Sequence, residues 1–263
     1  MGDLTTRQLS DRRGRRRESK DGQLQPGDML QDRYRIVGIL GIGGFSSVYQ
    51  ARDMRFPNVT KLCAVKEMVN VAPDPQIRAV AARAFEREAS ILATLDHPAV
   101  VGVYDYFNET DRSYLVLEFI RGKDLESLLS EQQEFFPQDK VVDWALQICD
   151  VLAYLHGQKP DPIIFRDMKP SNVMLDPHGR IRLIDFGIAG RLHRQKVASE
   201  YIVGTPVYMS PEQLRGELLD VRADVCSMGI LTFQMLTGRL PHATQASFDD
   251  LAGRPHPPLE GLP

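Results

Sequence analysis

The chain has 263 residues, 43% of them hydrophobic, and a formal net charge of −3, enough apolar material for one large or two small domains. The weakly acidic balance gives no reason to expect a nucleic-acid partner, which would favour a strongly basic face, and no run reaches the roughly 18 apolar residues of a membrane span. Three cysteines, Cys63, Cys149 and Cys226, are each set in an apolar segment; with no apolar leader at the start of the chain, they favour reduced core thiols in a cytoplasmic protein over disulfides or a zinc site.

Residues 1–31 are polar, with Arg12, Arg13, Arg15, Arg16 and Arg17 clustered, and are expected to form a disordered basic tail. From Tyr34 to Val69 the pattern is strand-like, with a glycine turn, Gly41-Ile-Gly43-Gly44, between Ile36–Leu40 and Ser47–Ala51. In Lys61–Lys66 the period of two puts Leu62, Ala64 and Lys66 on one face. Residues from about Gln76 to Leu95 read as a helix with Phe85, Glu88, Leu92 and Leu95 on one stripe, so Glu88 is a carboxylate on an apolar face that needs a cationic partner; a lysine from the neighbouring sheet is the natural one. Tyr114–Ile120 is a further strand ending in an Arg121-Gly122 turn. Val141–Leu155 reads as a buried amphipathic helix.

The next stretch carries the chemistry. Pro162–Phe165 and Val173–Leu175 read as short apolar strands holding a polar loop with Asp167, Lys169 and Asn172 between them. Asp176–Gly179 reads as a turn, and Arg180–Ile184 as a strand returning Asp185 to the same place. Transfer of a phosphoryl group needs a carboxylate to orient the hydroxyl nucleophile, a cation for the transferring oxygens and oxygen ligands for Mg²⁺. Asp167, Lys169, Asn172 and Asp185 supply these in turn. The glycine turn fits neither a dinucleotide fold, which needs a helix directly after the glycines, nor a Walker loop, which carries its lysine within the glycine motif. A last helix is expected over Val221–Leu236. The six histidines show no metal-ligand spacing and read as structural or exposed.

Ile164-Phe-Arg-Asp167-Met-Lys169-Pro-Ser-Asn172 with Asp185-Phe186-Gly187, the glycine turn, Lys66 and Tyr208-Met-Ser-Pro-Glu212 together resemble the eukaryotic-type Ser/Thr protein kinases, in their bacterial flavour, from about Tyr34 to about Leu251. The resemblance implies an α+β, two-lobed fold, with residues 32–120 forming a β-rich N-lobe and hinge and residues 121–263 a mainly helical C-lobe that stops short of the family's last helices. It implies ATP and Mg²⁺ as cofactors. Gly41, Gly43, Gly44, Val48, Ala64, Leu117, Glu118, Ile120, Asp124 and Met174 would surround the nucleotide. Lys66, paired to Glu88, would hold the α/β-phosphates, Asn172 and Asp185 the metal, and Asp167 with Lys169 the acceptor.

Partners implied are proteins with Ser/Thr acceptors and a second copy of the chain for phosphorylation in trans. Ser199 is the expected autophosphorylation site, Thr205 a shaping residue near Asp167, and Ser210 a tolerated substitute for the family's common alanine. Phe165 would stack with Phe186, Leu92 and Val103, and Asp224 would brace the catalytic-loop backbone. A competing reading is a catalytically impaired nucleotide-binding or scaffolding domain. A small-molecule phosphotransferase is disfavoured by the segment from Gly204 to Glu212, which in the resembling family docks peptides.

Overall fold

The computed structural model describes residues 23–43, 46–68, 75–109, 112–131, 135–186 and 206–241. Of the segment 1–31 expected to be a disordered tail, residues 23–31 are ordered instead, because Leu24 and Leu30 are buried in the core and Met29–Leu30 form a strand; residues 1–22, Gly44, Ser199 and Thr205 lie outside the described residues. The chain divides into two compact units, Met1–Val71 with Tyr104–Phe119, and Ala72–Val103 with Ile120–Pro263. The sequence division kept residues 32–120 together, whereas here residues 72–103 group with the second unit.

The first unit is built on a six-stranded sheet of order β1-β2-β3-β4-β6-β5, from β1 (Met29–Leu30), β2 (Tyr34–Ile42), β3 (Ser46–Asp53), β4 (Leu62–Met68), β5 (Val103–Glu109) and β6 (Arg112–Glu118). The alternation read from Lys61–Lys66 is present: Cys63, Val65 and Glu67 are buried, and Leu62, Ala64 and Lys66 face the other way. The buried side packs Tyr49, Ala51, Cys63, Val65, Tyr114 and Val116 with Leu24, Leu30, Tyr34 and Ile36. A fully buried carboxylate, Glu67, sits among them. It accepts bonds from Tyr49 Oη (2.8 Å), Tyr114 Oη (2.8 Å) and Arg112 Nη1 (2.6 Å), so its charge is compensated where it stands.

In the second unit, α1 (Pro75–Leu92) buries Phe85, Glu88, Ala89 and Leu92, as the stripe predicted, and Leu95 lies beyond its end. α2 (Leu125–Glu131) follows β7 (Lys123–Asp124). α3 (Gln138–His156) buries Val141, Trp144, Ile148, Val151, Leu152 and Leu155, the spacing of one helical face. β7 pairs with β8 (Val173–Leu175) and β8 with β9 (Ile181–Leu183) in a three-stranded sheet. α4 (Pro211–Leu214) and α5 (Arg222–Thr237) complete the described elements. Among the described residues no helix is long and apolar enough to cross a membrane.

The expectation of three core thiols needs correction. Cys63 is buried, and burial pushes its thiol up to about 11, but Cys149 is exposed and Cys226 half-buried. Cys149 follows Ile148 on α3, and the helical period turns it away from the face that Ile148, Val151 and Leu152 bury.

Candidate active site

In the first unit the strand register gathers the predicted residues on one face. Val48 stands opposite Lys66, Lys66 opposite Leu115, and Ala64 opposite Leu117, and directly paired residues share a face. The sheet thus presents a cation, a small residue and three aliphatic residues on the face opposite Cys63 and Val65. Glu118 pairs with Cys63. Gly41 pairs with Val48, and the Gly43 N–H donates to the Ser46 carbonyl at 2.8 Å, closing the described part of the glycine turn.

The second unit resumes at Ile120, which is buried. At Gly122, two residues further on, any Cβ would overlap the Leu175 carbonyl oxygen, so only glycine lets this backbone lie against β8. Asp124 pairs across the sheet with Met174, and its carboxylate accepts from the Ser127 N–H and Oγ, both at 2.8 Å. It therefore caps the start of α2, a role the sequence reading did not assign. Glu88 on α1 is only 2% exposed.

Asp167, Lys169, Asn172 and Asp185 are brought together by the hairpin of β8 and β9. Val173 pairs with Leu183, and the Ile184 N–H donates to the Asn172 carbonyl at 3.0 Å, so Asn172 and Asp185 leave adjacent strands side by side. The Asn172 amide donates from Nδ2 to both the carbonyl oxygen and Oδ2 of Asp167, at 2.8 Å each. Lys169 Nζ lies 2.8 Å from the same Oδ2. One carboxylate oxygen of Asp167 is thus held from two sides. The commitment of Nδ2 leaves Asn172 Oδ1 as that side chain's donor atom for a cation.

The expected strand at Pro162–Phe165 is not formed. Its backbone groups go elsewhere: the Ile163 N–H donates to Leu155 O, and the N–H groups of Phe165 and Arg166 donate to Asp224 Oδ2 (2.8 Å) and Oδ1 (2.7 Å). A fully buried carboxylate in the first turn of α5 replaces a neighbouring strand, and the positive end of the helix favours its charge. The brace expected of Asp224 is therefore present. His156 Nε2 lies 2.8 Å from Asp224 Oδ2, a partner invisible in the sequence because no spacing relates the two residues.

The Phe165 ring meets Phe186 edge-on, with centroids 5.0 Å apart and planes at 78°, and both rings are buried. Arg166 and Asp185 adopt left-handed backbone with φ of 70° and 68°, a conformation that costs about 1–2 kcal/mol outside glycine and persists where the surroundings enforce it.

Ser210 is fully buried and caps α4, its Oγ accepting from the Gln213 N–H, while Gln213 Oε1 accepts from the Ser210 N–H. The serine is thus more than a tolerated substitute for alanine.

The turn between β8 and β9 is fastened by Asp176. Burial works against its charge, but the Arg180 N–H (3.0 Å), the Arg180 guanidinium (2.9 Å) and the His178 N–H (2.8 Å) override it and hold the carboxyl at about 2. A folded value below the ordinary one near 3.9 contributes stability above that ordinary value and loses it as pH falls through the folded one. Asp176→Asn should therefore cost on the order of 2 kcal/mol at neutral pH. In denaturant titrations the gap from the parent should close between about pH 4 and pH 2; a pH-independent gap would rule out this origin.

Comparison with known proteins adds a family to this geometry. The protein kinase domain matches residues 34–253. Among curated relatives, a probable serine/threonine-protein kinase of Streptomyces coelicolor is 36% identical over 220 residues, covering 81% of this chain and 31% of that protein. The serine/threonine-protein kinase PrkC of Bacillus subtilis is 32% identical over 216 residues, covering 82% and 32%. PknB of Mycolicibacterium smegmatis is 36% identical over 220 residues, covering 81% and 33%. The chain spans about a third of the length of these relatives.

Proposed function

We propose that this chain, which belongs to the protein kinase family, transfers the γ-phosphoryl group of ATP to serine or threonine hydroxyls of proteins. The observation that carries the reading is the doubly held Asp167 carboxylate. With Oδ2 fixed by Asn172 and Lys169, Oδ1 is the atom that accepts the acceptor's hydroxyl hydrogen and aims its oxygen at phosphorus. As the new O–P bond forms and the bond to the ADP oxygen breaks, the hydroxyl proton passes to Asp167 and on to solvent. Lys169 places positive charge beside the transferring oxygens.

The donor set suits magnesium: a carboxylate on Asp185 and an amide oxygen on Asn172 are hard oxygen ligands on adjacent backbone. Held by these two residues, the metal would supply positive charge to offset the negative charge of the phosphates. Lys66, on the sheet face with Val48, Ala64 and Leu117, is assigned to the α/β-phosphates, and the turn of Gly41, Gly43 and Gly44 to the phosphates' backbone contacts. Glu88 enters the reading as the counter-charge of Lys66, because so buried a carboxylate needs a cation. Backbone groups of Glu118 and Ile120 are assigned to adenine, Met174 to the nucleotide, and Asp124 to the ribose through the lone pairs its capping bonds leave.

Protein acceptors and a second copy as substrate in trans belong to the same reading, as does a cytoplasmic location. Phosphate incorporation from labelled ATP with Mg²⁺ tests it, with Asp167→Asn as the blank. Incorporation that falls at least about a hundredfold in the variant is expected. ATP bound without transfer in either chain would instead support the scaffolding alternative.

A further inference from the structure

Arg166 sits immediately before the proposed catalytic carboxylate in left-handed backbone, with φ of 70°. A residue with a large side chain stays there only if its flanking peptide groups are held from both sides. The N–H side is held by Asp224 Oδ1 at 2.7 Å. The carbonyl side is held by Gln213, whose Nε2 donates to Arg166 O at 2.7 Å. That carbonyl belongs to the peptide unit whose N–H is Asp167's own, and this N–H donates to Phe165 O at 2.9 Å. The orientation of that unit sets where the Asp167 side chain leaves the backbone. Gln213 is itself immobilised, since its Oε1 accepts from the Ser210 N–H at 3.0 Å and its backbone N–H donates to Ser210 Oγ at 3.4 Å, while Ser210 is fully buried.

We propose that Gln213 is a positioning residue for the phosphoryl-transfer loop: its amide clamps the Arg166–Asp167 peptide and so holds the Asp167 carboxylate in its working direction. The assignment rests on the kinase reading for its consequence and on the hydrogen bonds alone for its geometry. It gives one side chain two duties, capping α4 through its oxygen and locking the loop through its nitrogen, and these can be separated.

Gln213→Glu keeps an oxygen for the Ser210 N–H and remains a good capping-box residue, but it sets a carboxylate oxygen where the amide donated to Arg166 O. Gln213→Ala removes both duties. In Gln213→Glu, amide hydrogen exchange at Asp167 should speed up about tenfold or more, the scale of one lost hydrogen bond to a strained turn. Exchange in the middle of α3 should stay within about twofold of the parent. The kcat for phosphate transfer, counted per nucleotide-binding chain, should fall about tenfold with KM for ATP within about twofold, because the loss falls on orientation rather than on nucleotide binding.

Exchange at Asp167 within about twofold of the parent in both variants would overturn the clamp. Faster exchange with unchanged kcat would overturn its role in positioning. A parent chain that transfers no phosphate would overturn the kinase reading and the catalytic consequence together, while the exchange arm would still decide whether Gln213 holds the peptide.

Discussion

Asp185→Asn is expected to lower phosphate transfer by on the order of 10³, the scale on which single electrostatic components of such sites act, and to leave the thermal midpoint of the chain essentially unchanged. Asp185 is exposed, so exchanging its carboxylate for an amide leaves no buried group stranded. Its place in the chain is fixed by its neighbours: Ile184 is bonded to Asn172, and Phe186 is buried against Phe165. Its backbone φ of 68° makes the choice of replacement matter. Alanine would add strain in the left-handed region, whereas asparagine tolerates it. The asparagine variant therefore keeps shape and backbone and removes the negative charge that a divalent cation requires. In Lys66→Met, which keeps most of the side chain's length and deletes its charge, transfer should fall by a similar factor. Initial rates of phosphate incorporation together with thermal melts check both. Transfer above about a tenth of the parent's in either variant would show that these roles are misplaced.

Asp224→Ala should destabilise the second unit by about 3–5 kcal/mol and disable the phosphoryl-transfer loop with it, since removing a buried carboxylate strands the groups it satisfied. Three donors converge on this side chain: the N–H groups of Phe165 and Arg166 and, at 2.8 Å, His156 Nε2. The aspartate is fully buried, so water cannot easily replace it. Two of the donors belong to the loop that carries Asp167, and one of them flanks the left-handed Arg166. Asp224→Asn keeps one accepting oxygen but turns an NH₂ group toward a donor, and should fall between the parent and the alanine variant. Denaturant unfolding of the three chains gives the ordering. A loss below about 1 kcal/mol in the alanine variant would mean that the loop is held by something else.

Much of the site was legible because its chemistry is local in sequence. Asp167, Lys169 and Asn172 lie on one short loop, and the turn at Asp176–Gly179 with the following strand brings Asp185 back within a hairpin's reach. Period-two alternation located Lys66 beside Ala64, and the helical stripe singled out Glu88 as a buried acid. Pro162–Phe165 was misread as a strand because apolar composition reports burial and not the identity of the hydrogen-bond partner. The partner is a side-chain carboxylate from α5 rather than another strand. Cys149 was misplaced for a related reason, since an apolar neighbourhood in sequence mixes both faces of a helix.

The sequence by itself carried the motifs whose resemblance implied the family, most of the strands and helices, and the residue types that phosphoryl transfer requires, because motifs, periodicity and short spacings are local in the chain. Only the tertiary structure decided how the loop is aimed. The clamp on Arg166 by Asp224 and Gln213, the contact of His156 with Asp224, and the close approach that makes Gly122 obligatory join residues far apart in the chain. Such pairings depend on distance and direction in three dimensions, which no one-dimensional pattern encodes.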